Sequence, residues 1–84
     1  MTDSPFTLAD LMDLLAEKAG LPPESRTTDP DAHFADIGLD SLAFLAMQTE
    51  LHDRFDTEMP DDSPERYTLG EIVATVNAAL SQPA

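Results

Sequence analysis

Apolar residues along the chain gather into three stretches with helical spacing, separated by segments rich in proline, glycine, aspartate and serine. In the first stretch Leu8, Leu11, Met12, Leu15 and Ala19 recur at the intervals that align side chains on one face of a helix. Thr7 stands before it as a capping hydroxyl, Asp10 takes the place of the capping-box acid, and Phe6 is placed to staple onto Leu11. Gly20, Pro22 and Pro23 end that helix. The second stretch runs from about Ser41 to Phe55. At about 100° per residue, Phe44, Met47, Leu51 and Phe55 share one face with Gln48 alongside, whereas Leu42, Leu45 and Thr49 fall elsewhere, nearer Ser41. The third stretch opens on a capping box, Thr68 with Glu71, and Tyr67 is placed to staple onto Ile72. Leu69, Ile72, Val73, Val76, Ala79 and Leu80 supply its buried stripe, and Gly70 weakens its first turn slightly.

Residues 21–39 read as a loop, interrupted by Pro22, Pro23, Ser25, Thr27, Thr28, Asp29, Pro30 and Gly38. So long a connection is uncommon in a small domain, but Leu21, Phe34, Ile37 and Leu39 offer apolar anchors that pin it to the helices. After Phe55, Met59 before Pro60 leaves the helix. Pro60 to Arg66 allow one short helical turn, limited by Pro64. No alternating strand pattern and no repeat occurs. The expected fold is all-α: a small antiparallel bundle of three main helices plus one short helix, with a long loop between helices one and two. Its core is expected from Leu11, Leu15, Phe44, Met47, Leu51, Phe55, Ile72 and Val76. The 84 residues are expected to form one domain over 1–84, ordered from about 6 to 80.

Charge narrows the function. Seventeen acidic residues against four basic ones give a formal charge of −13, which argues against nucleic acid, whose binding depends on Lys and Arg. Basic protein partners are favoured instead. The absence of cysteine removes disulfides, a thiolate nucleophile and a zinc pattern. Asp3, Asp10 and Asp13, with no long apolar run, leave neither a signal peptide nor a membrane span, so a cytoplasmic monomer is expected. Asp29, Asp31 and Asp36 lack calcium-loop spacing because Phe34 occupies the position that needs glycine. No metal site is expected.

The chemistry concentrates at Gly38, Leu39, Asp40, Ser41 and Leu42. Asp40 is a capping carboxylate before a run of helix formers, so Ser41 falls on the first turn of the second helix. There its side chain points outward beside amides that have no intrahelical acceptor and carry the positive end of the dipole, a good place for a phosphate. A hydrolase nucleophile would need a base and an orienting acid, commonly on a strand-to-helix turn. No strand precedes Ser41, and His33 and His52 are the sole candidate bases.

The run from Phe34 through Asp36, Gly38, Asp40 and Ser41 to Leu42 resembles the prosthetic-group attachment motif of acyl carrier proteins. The resemblance continues through Phe55 to Asp62 and the helix after Thr68. It implies a carrier without catalytic activity, bearing 4′-phosphopantetheine from coenzyme A on Ser41, with Asp40 recognised by a phosphopantetheinyl transferase. Within the family the chain is most similar to the free-standing carriers of type II (aromatic) polyketide synthases. Ala43 stands where fatty-acid carriers usually have an acid, Arg54 precedes Phe55, and Glu17, Lys18, Ala19 and Gly20 resemble the end of helix one in polyketide carriers. The partners so implied are the ketosynthase/chain-length factor pair, a malonyl acyltransferase and a ketoreductase. Leu42, Leu45 and Thr49, with Asp36, Glu50 and Asp53 around them, are the expected partner surface. A fatty-acid carrier is the nearest alternative, and an unmodified helical interaction domain a more distant one. Peptidyl carriers usually have glycine or histidine where this chain has Asp40.

Overall fold

The computed structural model describes residues 5–61 and 63–81. Three α-helices and three short 3₁₀ turns follow in order: α1 (Leu8–Lys18), turns at Pro23–Ser25 and Phe34–Ile37, α2 (Ser41–Phe55), a turn at Pro64–Arg66, and α3 (Leu69–Leu80). Every α-helix packs against the other two. Among the described residues there is no strand, and β-pairing is limited to an isolated antiparallel bridge between His33 and Thr68.

The helix starts follow their capping residues. Thr7 Oγ1 accepts from Asp10 N at 3.1 Å and Asp10 Oδ2 accepts from Thr7 N at 3.0 Å, so both members of the box act. Thr68 and Glu71 do the same at α3, with bonds of 2.8 and 3.1 Å. Two orphan amides are satisfied at each start, a device that contributes about 1 kcal/mol per cap.

Leu11, Leu15, Phe44, Met47, Leu51, Leu69, Ile72 and Val76 are fully buried. Leu14 joins the core outside the expected stripe, because α1 contacts both other helices and so needs an apolar arc wider than one row. Phe55, the last residue of α2, is only half-buried and meets Phe6 edge-on at 5.2 Å between ring centroids. Leu80 departs from expectation: it is 48% exposed. It ends α3 at the rim of an open groove lined by Phe6, Leu14 and Phe55.

The long loop is held at both levels. Leu21, Phe34, Ile37 and Leu39 are buried as anchors. Its backbone is also bonded to the start of α3: Leu69 N donates to Ala32 O at 2.8 Å, Gly70 N to Pro30 O at 2.9 Å, and Phe34 N to Tyr67 O at 3.1 Å. The first two α3 amides, which have no intrahelical partner, are thereby satisfied. Gly70 suits this approach, since a β-carbon there would meet Pro30 Cβ and O at 3.1 Å, tighter than ordinary packing. The short element after Pro60 reduces to the turn at Pro64–Arg66. No helix among the described residues is long and apolar enough to cross a membrane.

Leu51→Ala is expected to destabilise the protein by about 2–5 kcal/mol, a large share of a small domain's stability. A denaturant midpoint equal to that of the parent would mean that α2 does not bury the face described.

Candidate functional site

The site is built at the start of α2. The turn Phe34–Ile37 ends on Gly38 in a left-handed conformation, φ 82°, which costs a residue with a β-carbon roughly 1–2 kcal/mol. Leu39 then turns into the core and Asp40 turns out. Asp40 is extended (φ −103°, ψ −173°), and its Oδ1 accepts from Ala43 N at 3.0 Å while its carbonyl accepts from Phe44 N at 3.0 Å. Ala43 and Phe44 are buried, whereas Ser41, at the first position of the helix, is exposed and Leu42 is 75% exposed.

Phe44 fixes this arrangement from beneath. Its ring meets Phe34 edge-on at 5.0 Å and lies parallel to Tyr67 at 6.0 Å. Tyr67 is in turn held by its hydroxyl, which accepts from Asp61 N at 2.8 Å. The loop before α2 and the segment before α3 thus meet on the residue three positions after Ser41.

The expected surface residues divide. Leu45 is 46% exposed, and Thr49 is exposed with its hydroxyl turned back to donate to Leu45 O at 3.1 Å. Asp53 is exposed. Asp36 is exposed and accepts from His33 N at 3.0 Å. Glu50 differs from expectation: its side chain is 16% exposed and ion-paired to Arg54, which also lies 3.7 Å from Glu17. Its charge is therefore largely compensated, and the field along α2 is weaker than the sequence suggested. Neither histidine hydrogen-bonds to Ser41; His33 is engaged with Asp36, and His52 is exposed on the last turns of α2. No histidine among the described residues is bonded to the serine. Among the described residues no three His, Cys, Asp or Glu side chains are grouped to hold a metal ion.

Two residues carry more of the site than the sequence indicated. Gln48, the one buried polar side chain among the described residues, donates from Nε2 to Met59 O at 3.0 Å and accepts at Oε1 from Met59 N at 2.7 Å. Its place beside the buried face was legible, but its backbone partner was not. Tyr67 stacks on Phe44, a contact that the staple position alone does not specify.

Residues 9–76 match the family model for the phosphopantetheine attachment site. The chain belongs to the acyl carrier protein family. An acyl carrier protein of an Exiguobacterium strain is 34% identical over 74 residues, covering 87% of this chain and 92% of that protein. Non-reducing polyketide synthases of Cercospora nicotianae and Cercospora beticola are each 40% identical over 52 residues, 62% of this chain but only 2% of those enzymes. No solved structure matches significantly. An acyl carrier protein has no catalytic activity of its own, carries a covalent 4′-phosphopantetheine, and works with transferase and synthase enzymes.

If Asp40 acts on the fold through its capping bond alone, Asp40→Asn is expected to keep the parent stability and Asp40→Ala to lose about 1 kcal/mol. Thermal unfolding of the two variants checks this; equal losses would place the contribution in the charge.

Proposed function

We propose that the phosphopantetheine arm is joined to Ser41 Oγ and that this carrier serves a polyketide synthase, holding malonyl and growing polyketide groups. What supports the attachment residue is its geometry: an exposed hydroxyl on the first turn of a 15-residue helix, beside amides and a dipole end that favour a phosphate. The chain's residues fit the group. Asp40 turns its carboxylate to Ala43 N, leaving the hydroxyl open to a phosphopantetheinyl transferase that uses coenzyme A. When bound, the arm supplies the thiol on which acyl groups are held as thioesters. The protein's part is to tether and present, which raises the local concentration of the acyl group at each enzyme visited.

The polyketide assignment is supported by the 40% identity to the Cercospora synthases and by Ala43. That residue is buried, so packing against the core takes the place of the acid usual in fatty-acid carriers. The partners are then the ketosynthase/chain-length factor pair, a malonyl acyltransferase and a ketoreductase. They dock on Leu42, Leu45 and Thr49, with Asp36 and Asp53 contributing to encounter and salt dependence more than to residence. A fatty-acid role is the second reading, favoured by the match along nearly the whole length of the Exiguobacterium acyl carrier protein.

Incubation with coenzyme A, magnesium and a broad transferase is expected to add one arm to the parent and none to Ser41→Ala, read by intact mass. Ser41→Ala should fold as the parent does, because an exposed first-turn position tolerates alanine within about 0.5 kcal/mol. An arm on the alanine variant would move the site elsewhere. The malonyl-loaded carrier is then offered to ketosynthases of both pathways. Faster condensation with the fatty-acid enzyme would select the second reading.

A further inference from the structure

An open groove of about 520 Å³ lies along α2, bounded by Leu45, Gln48, Thr49, His52 and Glu58. Four of these residues belong to α2, and Glu58 comes from the segment that follows it. At about 100° per residue, Leu45, Gln48 and His52 lie within about 40° of Ser41 around the helix. The groove therefore runs in line with the serine. Thr49 has turned its hydroxyl onto Leu45 O, and Gln48 has committed both ends of its amide to Met59. Leu45 gives the groove apolar surface, and the exposed His52 imidazole lines it as well. Glu58, exposed and adjacent to the clamped Met59, is the one carboxylate on its wall among the described residues.

We propose that Gln48 is a positioning residue: by bonding both backbone groups of Met59 it holds Glu58 as the outer wall of this groove. The groove then receives a lysine or arginine side chain of the enzyme that acylates the arm. Such a side chain matches both surfaces, an aliphatic stem against Leu45 and the Thr49 methyl and a cationic head against Glu58. The charge of −13 favours a basic visitor. The cation of the chain that lies on α2, Arg54, is engaged by Glu50.

The inference rests on the reading of Ser41 as the arm-bearing residue, so arm loading is confirmed by intact mass before any kinetics. Failure of the parent to load would count against that reading alone. The loaded parent, Gln48→Met, Glu58→Ala, the double variant and Glu65→Ala are compared as substrates of a malonyl-CoA acyltransferase specific for carriers. Each groove variant is expected to raise KM for the carrier about three- to fivefold, the scale of one partly exposed ion pair, with kcat unchanged. The double variant is expected to be no worse than Glu58→Ala, because Gln48 acts through Glu58. Glu65→Ala, which removes an exposed acid outside the groove, should behave as the parent. An unchanged KM in Glu58→Ala, additive losses in the double variant, a fall in kcat, or an equal KM rise in Glu65→Ala would each overturn the proposal. Glu58→Ala decides the matter even where Gln48→Met lowers the yield of folded protein.

Discussion

Phe44 stands edge-on to Phe34 and parallel to Tyr67, and the position of Ser41 depends on those contacts. Each such aromatic pair adds about 0.5–1.5 kcal/mol beyond the area it buries. The three rings come from the long loop, the first turn of α2 and the lead into α3. Fixing the central ring fixes the rotation of α2 at its start. With Phe44 and Ala43 inward, Leu42 is turned to solvent on a helix of 3.6 residues per turn, and Ser41, about 60° from Phe44 around the axis, is exposed at the helix's first position. The place of the serine thus follows from where Phe44 anchors the start of α2.

The same economy governs the segments between helices. The first two amides of α3 are satisfied by the carbonyls of Ala32 and Pro30, so a loop that would otherwise carry unpaired backbone groups is tied to an element that lacks partners. After α2 the chain is held by a side chain instead, through the two bonds of Gln48 to Met59. Both flanks of α2 are thus fastened, one to α3 and one back to α2 itself. A carrier visited by several enzymes profits from a rigid helix start beside a flexible arm, since binding then spends little on ordering the protein surface.

Much of this was written plainly in the chain. The three helices follow from their apolar spacing and from capping residues such as Thr7, Asp40 and Thr68, which act where they stand. The burial of Leu21, Phe34, Ile37 and Leu39 was legible because an apolar residue in a long loop has few other places to go. The departures arise where a side chain's environment is set by residues distant in sequence. Gly70 reads locally as a weak helix former, yet Pro30, 40 positions earlier in the chain, crowds the place where a β-carbon would stand. Glu50 reads as surface charge until Arg54 closes on it. Leu80 continues the periodicity of α3 but stands at the rim of an open groove beside Leu14 and Phe55 and is left half exposed. Periodicity records which face a residue takes, and it carries no information about where the neighbouring element ends.

The dependence of serine presentation on the aromatic contact is tested most directly by the rate of arm attachment to Phe44→Leu beside that to Ile72→Val. Both substitutions remove buried apolar volume, and both are assayed where circular dichroism shows the variants folded. Only the first alters the support of the α2 start. With the arm joined to Ser41 as proposed, kcat/KM for the phosphopantetheinyl transferase is expected to fall in Phe44→Leu and to stay at the parent value in Ile72→Val. Equal rates in the two variants would contradict that dependence, and would mean that Ser41 is presented whether or not the rings beneath it are in place.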